Sequence, residues 1–417
     1  MSVTAFFGLL GGLLVLAFVA NRLAQRTRVP DAVVLILTGM LLGPVLGLVD
    51  AARFEDVTRG FGTLALILIL FEGGLELDVR ETLRHLGGGF VLSWSAYIIT
   101  TGLVAWVARR CLPLSWQDAL LVGAVLGCVS STIMLPVLQQ IPLRLPVKLT
   151  LLVECSVGDV LAVLTVDALL KLSHSHGSLF KGLVGGFVFE MGVSVILGVV
   201  VGFLWARLMP LLSEQRFWQA LTFAAVLLLY AGTTALNASG LFAVLVFGIV
   251  LANVPQARAR LLAADMGVTL PEGDYHHQIL NFHSELAFLV RTFFFVMIGA
   301  VVHFSGLRAN AVPILGFSGA ILVARWLAVN LSRWTWKEIT SLERELIVLL
   351  LPRGLITAVL AIQVIEDRGA EFGFLRAVAF AVILLTNLLV VLASVRARGM
   401  TPLLLVASQV PQEIVPE

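Results

Sequence analysis

Runs of about 20 apolar residues recur along this chain from its first residues to about residue 395, the length an α-helix needs to cross a hydrocarbon core roughly 30 Å thick. Lipid offers no partner to a backbone N–H or C=O, so a chain of such segments can only be a helical bundle or a closed barrel. A barrel would show segments of roughly ten residues with alternating polarity, and the chain has none. With 59% hydrophobic and 13% charged residues and a mean hydropathy of +1.00, the expected fold is an all-α polytopic membrane protein. The first apolar segment has no basic residue before it and is followed by Arg22, Arg26 and Arg28, so it reads as a first span and not as a cleaved signal. Three cysteines, Cys111, Cys128 and Cys155, cannot build a disulfide framework.

The apolar runs predict about 13 spans: 3–21, 31–49, 60–76, 88–108, 116–139, 146–170, 183–208, 217–236, 239–252, 279–302, 311–332, 345–365 and 373–395. Placing the N-terminus outside and the C-terminus in the cytoplasm puts the majority of Lys and Arg in inner loops, as the positive-inside rule requires. An odd count suits two inverted six-helix repeats joined by one span. The expected divisions are a first repeat at 1–172, a linker span at 173–215, a second repeat at 216–395 and a short cytoplasmic tail at 396–417. Spans 5 and 12 occupy matching positions in the two halves. Each carries proline beside Ser, Thr or Gly, in Cys128-Val-Ser-Ser-Thr-Ile-Met-Leu-Pro136 and in Leu351-Pro-Arg-Gly-Leu-Ile-Thr357, so both are expected to be broken helices that cross.

Charges inside spans are costly, by about 2.5–3.5 kcal/mol each on insertion scales, and mark functional sites. Two acids, Glu154 and Asp159, share span 6. Five residues of helix turn their side chains about 140° apart, so they are not expected to grip one ligand together. One acid is expected to face a cavity and titrate, the other to be neutralised by a fixed cation. Arg291, Arg325 and Arg353, in spans 10, 11 and 12, are the candidates for that cation.

These residues carry a resemblance. Phe71-Glu-Gly-Gly-Leu-Glu-Leu-Asp78, Glu154-Cys-Ser-Val-Gly-Asp159, Arg291-Thr-Phe-Phe-Phe-Val-Met-Ile-Gly299, Ala324-Arg325-Trp-Leu-Ala-Val and Pro352-Arg-Gly-Leu-Ile-Thr-Ala358 occur in that order, each in its own span. Together they resemble the motifs of the monovalent cation:proton antiporter superfamily, which includes the NhaP-type antiporters and the sodium/proton exchangers. The resemblance implies that Asp159 binds cation and proton in alternation and that Glu154 forms a buried ion pair with Arg325. It also implies a homodimer in the cell membrane, the inner membrane of a bacterium. Arg353, Arg291 and Glu72 are supporting residues, either electrostatic elements of a cavity or hydrogen-bonded packing groups.

The departures from the family pattern fall around Asp159. Gly158 stands where the motif has Asn, Cys155 where it has Ser, and Ser131-Thr132-Ile133 where many sodium/proton members have Thr-Asp-Pro. Cys155 lies one helical turn before Asp159 on the same face, but a thiol is a poor ligand for a hard monovalent ion. Backbone carbonyls and the hydroxyls of Ser130, Ser131 and Thr132 are therefore expected to complete the site. The expectation is electroneutral antiport of Na+ or K+, with Li+ a further candidate, against H+ by alternating access. A secondary transporter of another solute and a cation channel are the competing readings.

His174 and His176 lack a third ligand and read as surface residues. His276, His277 and His283 border an inner loop at 253–278, read as a short amphipathic segment, and are expected to be solvated; Asp167, Glu190 and Glu285 lie near span ends. No phosphate-binding or dinucleotide fingerprint and no zinc spacing occurs, so neither an enzyme, a cofactor nor a nucleic-acid partner is expected.

Overall fold

The computed structural model describes residues 8, 11–20, 22, 29–47, 51–76, 79–174, 179–212, 217–266, 275–302, 304–335 and 339–398, and no strand occurs among them. The helices are α1 (Gly11–Ala20), α2 (Asp31–Met40), α3 (Ala51–Glu76), α4 (Val79–Cys111), α5 (Trp116–Val125), α6 (Ser131–Gln140), α7 (Leu145–His174) and α8 (Leu179–Leu212). They continue with α9 (Trp218–Ala235), α10 (Gly240–Met266), α11 (Tyr275–Val301), α12 (Phe304–Ala309), α13 (Ala311–Leu331), α14 (Ser341–Leu349), α15 (Leu355–Arg368) and α16 (Phe374–Arg398). Among the described residues seven helices are long and apolar enough to cross a membrane, and four shorter apolar helices stand beside them. Several helices outrun their apolar windows. α10 passes the expected end at residue 252 and continues to Met266, because the Gln256-Ala-Arg-Ala-Arg-Leu-Leu-Ala-Ala stretch is made of strong helix formers. Residues 267–274 of the expected amphipathic segment lie outside the described residues, and residues 275–278 open α11.

The helices pack as two groups. In one, α2, α3, α8, α9, α10 and α11 lie against each other; in the other, α4, α5, α6, α7, α13, α14, α15 and α16 do. Contacts across the seam are sparser and come from α7 on α8 and α10 and from α15 on α3 and α11. Inside the first group α2 meets α11 backbone to backbone. A Cβ on Gly39 would strike the carbonyl oxygen of Val296, and one on Gly299 would strike that of Ile36. α2 then continues as a π-turn over Leu41–Val45, which absorbs the N–H that Pro44 lacks.

The second group holds two interrupted helices. Backbone unwinds at 126–130, between α5 and α6, and again at 350–354, between α14 and α15. Pro352 sits inside the second interruption. Pro136 does not sit in the first: it lies within α6, and the break comes earlier, at Leu126-Gly-Cys-Val-Ser130. The break falls there because its polar backbone is answered there. The Ser130 N–H donates to the Pro352 carbonyl at 2.8 Å, which joins the two unwound segments, and a Cβ on Gly354 would collide with the Ser130 side chain. Proline can stay in α6 because it removes a single donor, a smaller loss than the unwinding of a turn.

Each interrupted helix starts on a side-chain cap with an acid in its first turn. Ser115 accepts from the Asp118 N–H at 3.1 Å and Thr340 from the Glu343 N–H at 3.2 Å, and the Glu343 carboxylate in turn accepts from the Thr340 N–H. An arginine from the other end of the sequence holds each acid: Arg368 lies 3.6 Å from Asp118, and Arg144 grips Glu343 through Nε and Nη2 at 2.9 and 2.7 Å.

The α2–α11 crossing leaves no room for a side chain at Gly299. Gly299→Ala should destabilise the protein by about 1–3 kcal/mol through overpacking, read as a lower unfolding midpoint in detergent. Gly232→Ala in α9, where nothing lies within 4 Å of the new carbon, should be neutral or slightly stabilising.

Candidate ion site at the crossing of the interrupted helices

α7 presents its two acids to different neighbours. Asp159 is 4% exposed and faces the start of α6, where its Oδ2 accepts from the Ser131 hydroxyl at 2.6 Å and from the Ser131 N–H at 3.3 Å. The carboxylate thus sits at a helix N-terminus, where free N–H groups and the helix dipole favour an anion. Its Oδ1 is buried and has no hydrogen-bond partner among the described residues. Ser130 and Thr132 bond to each other through their hydroxyls at 3.0 Å. Gly158 is not a steric necessity. A Cβ there would make ordinary contacts of 3.7 Å with Ser93 Oγ and 3.9 Å with Cys128 Cβ, so the missing amide reflects the sequence and not a lack of space at that carbon.

Glu154, 2% exposed, turns the other way to form an ion pair with Nη1 of Arg325 on α13, which is equally buried. Arg325 has a second task. Its Nε donates to the Ile347 carbonyl and its Nη2 to the Leu350 carbonyl, both at 3.1 Å, so it caps the end of α14 where the second interruption begins. The Glu154 backbone carbonyl accepts from Ser93 at 3.1 Å.

Arg353 lies in the second interruption. Its backbone is held by α16, with its N–H donating to Thr386 Oγ1 at 3.1 Å and its carbonyl accepting from Asn387 at 2.8 Å. Its side chain is 2% exposed, with Nε and Nη1 unpartnered among the described residues. Glu72 and Arg291 stand apart from this cluster. Glu72 accepts from Ser284 at 2.5 Å, and Arg291 pairs with Asp31 of α2 at 3.2 Å. Both line a cavity of about 210 Å³ between α3, α6 and α11, whose wall also includes Ser131 and Thr132. The cavity therefore reaches Ser131, the residue whose hydroxyl bonds Asp159.

Other residues singled out in the sequence land elsewhere. Cys155 is fully buried in the apolar core, and a second buried thiol, Cys128 on the first interruption, lies 4.0 Å from Thr357 Oγ1. His283 is not a solvated loop residue. It is fully buried in α11 among Phe71, Phe223 and Phe282, with Nδ1 2.9 Å from the Ile279 carbonyl, because α11 starts at Tyr275 and has made two turns by then. Asp167 and Glu190 are joined by Lys171, at 3.1 and 2.5 Å, across α7 and α8. The side chains of His174, His176, His276 and His277 lie outside the described residues. Sequence reasoning placed Cys128 and Thr357 in the expected broken helices without giving them a role, and missed Asp31, Ser284, Thr386 and Asn387. Of these four, the last two left a signal, a polar pair within the most apolar of the seven long helices.

Removing one member of the Glu154–Arg325 pair strands a buried charge. Arg325→Met or Glu154→Gln alone should cost about 3–5 kcal/mol of stability in detergent. The double variant should cost less than the sum of the two, but should not regain the wild-type value because the Ile347 and Leu350 carbonyls lose their donor. Losses that simply add would show that the pair is not coupled.

Residues 13–397 match the family described as sodium/hydrogen exchanger, transmembrane. The chain is 25% identical over 378 residues to Na(+)/H(+) antiporter 1 of Methanocaldococcus jannaschii, covering 87% of this chain and 84% of that protein. It is 27% identical over 368 residues to K(+)/H(+) antiporter NhaP2 of Shewanella sp. strain ANA-3; that match covers 87% of this chain but only 61% of the Shewanella protein's length. The fold superposes on the sodium proton antiporter MjNhaP1 from Methanocaldococcus jannaschii at pH 8 with a TM-score of 0.76 and 23% identity, covering 97% of this chain and 99% of that one. The chain belongs to the sodium/hydrogen exchanger family, within the monovalent cation:proton antiporters, and is a membrane transporter and not an enzyme.

Proposed function

We propose that this protein exchanges a monovalent cation for H+ by alternating access, with Asp159 binding one or the other. The observation that carries the proposal is the unequal state of the two acids on α7. Glu154 is bound to a permanent cation, while Asp159 is buried with one oxygen held by the start of α6 and the other without a partner. An ionised Asp159 attracts a cation and a protonated one does not, so the two ligands compete. Ser131 orients the carboxylate, and the hydroxyls of Ser130 and Thr132 with carbonyls of the unwound segment are the proposed oxygen ligands of a hard ion.

Exchange requires that the empty ionised carrier rarely crosses, since a lone carboxylate in a low-dielectric barrier is costly. One titrating acid per site gives one cation per proton, hence electroneutral transport. The relatives named for Na+ and for K+ bracket the substrate class, and hydroxyl and carbonyl oxygens suit either ion. The seam between the two helix groups supports a rocking of one against the other, because the Asp159 site belongs to one group while the cavity that reaches it is walled by both.

Two further elements of the proposal concern architecture. Thirteen spans in two inverted repeats, 1–172 and 216–395 about a linker at 173–215, are supported by the matched caps and reciprocal arginine clamps of the two interrupted helices, whose serine or threonine and acid recur at the same spacing. The N-terminus lies outside, the tail at 396–417 is cytoplasmic, and the working unit is a homodimer in the cell membrane.

In proteoliposomes given a pH step, the wild-type protein should exchange H+ for at least one of Na+, K+ and Li+, and Asp159→Asn should abolish exchange for all three while keeping its unfolding midpoint. Full activity in that variant would refute the assignment. Transport should be insensitive to an imposed membrane potential; a voltage-dependent current would exclude the one-for-one stoichiometry.

A further inference from the structure

If Asp159 binds the cation, as proposed, the choice among monovalent ions rests on how strongly the site pulls on an ion compared with water. Asp159 is buried, so an ion that reaches it sheds most of its hydration. Li+ holds its water most tightly and K+ least, because the field at the surface of a smaller ion is higher. A site of strong field therefore prefers the smaller ion, and a site of weak field the larger one.

The field around Asp159 is weakened on every side. Its Oδ2 already takes the hydroxyl and the N–H of Ser131, at 2.6 and 3.3 Å, and the N-terminus of α6 adds partial positive charge. The other acid of α7 adds nothing to it, since Glu154 is neutralised by Arg325. The hydroxyls of Ser130 and Thr132 bond to each other at 3.0 Å, which leaves each with less capacity for an ion. Position 158 supplies no oxygen at all. A Cβ on Gly158 would point at the first interruption, 3.9 Å from Cys128 Cβ and 4.0 Å from the Val129 nitrogen, so a side-chain amide built there would reach the unwound segment. We propose that the site selects K+ over Na+ and Li+, and that Gly158 sets this preference by leaving one oxygen out. An uncharged oxygen at 158 raises the field without adding charge and favours the ions that are harder to dehydrate.

Initial rates of exchange by the full chain in proteoliposomes, over a series of K+, Na+ and Li+ concentrations, test this. The KM for K+ should lie about fivefold below that for Na+, a factor in keeping with one neutral polar contact, and Li+ should be the weakest. Gly158→Asn should bring the K+ and Na+ values together. Gly158→Ala, which adds the same first carbon at ordinary contact distances but no oxygen, should keep the wild-type ratio. Ser131→Ala, which takes one donor from the carboxylate and leaves the N–H, should shift the ratio toward Na+. A ratio within one protein does not move with folding yield or turnover, and for a variant that no longer transports, the ratio of K+ and Na+ affinities in detergent takes its place. A wild-type KM for Na+ or Li+ at or below that for K+, an unchanged ratio in Gly158→Asn, or the same shift in Gly158→Ala would each overturn the proposal and leave Asp159 in its role. Absence of exchange with all three ions would overturn the Asp159 reading, and this proposal with it.

Discussion

Unwound backbone inside an apolar bundle is the constraint on which this structure turns. A peptide group that leaves a helix in such a place costs about as much as a lost hydrogen bond unless something answers it. Here the two interruptions answer each other through Ser130 and Pro352, and neighbours take up further groups. Asp159 takes the Ser131 N–H, Arg325 takes the Ile347 and Leu350 carbonyls, and Thr386 and Asn387 take both sides of Arg353. The helices that supply these groups, α7, α13 and α16, are therefore bound to the crossing by hydrogen bonds as well as by packing. The site cannot be separated from the architecture that holds it.

The same constraint divides the two acids. Glu154 and Arg325 satisfy each other and in doing so terminate α14, so their charges serve the shape of the bundle. Asp159 also supports a break, by receiving the first N–H of α6, but this occupies one oxygen only. A carboxylate pinned by one oxygen and open at the other is both positioned and reactive. In the proposed exchange, the substitutions at Gly158 and at Ser131-Thr132-Ile133 place more of the coordination on hydroxyl and carbonyl oxygens, which would hold a cation without a second charge.

How far the sequence could be read depends on whether a feature is local. Apolar run length is local, so the membrane class and nearly all the helices were legible, as was the second interruption, where Pro352 and Gly354 both disfavour helix. The first interruption was placed too late because Pro136 is the conspicuous residue, whereas the break depends on a hydrogen bond from Ser130 to a carbonyl more than 200 residues away. Glu154 and Asp159 could be sent to different neighbours by helical angle alone, but the partner of Arg291 could not be read that way. Asp31 lies on α2 and meets Arg291 only because Gly39 and Gly299 let two helices touch. His283 was misjudged for a related reason: helix α11 begins before its apolar window does, so a residue beside a polar loop in sequence is buried in the fold.

If one carboxylate serves both ligands, cation binding must displace a proton. The direct test is calorimetric titration of the detergent-solubilised protein with Na+ or K+ near the pH at which the site half-titrates, in buffers of different ionisation enthalpy, which reports the protons released per ion bound. The account predicts release approaching one proton per cation as pH is lowered, with an apparent affinity that weakens about tenfold per pH unit below the titration range and no release in Asp159→Asn. Cation binding that releases no proton at any pH, or that persists unchanged in Asp159→Asn, would contradict it.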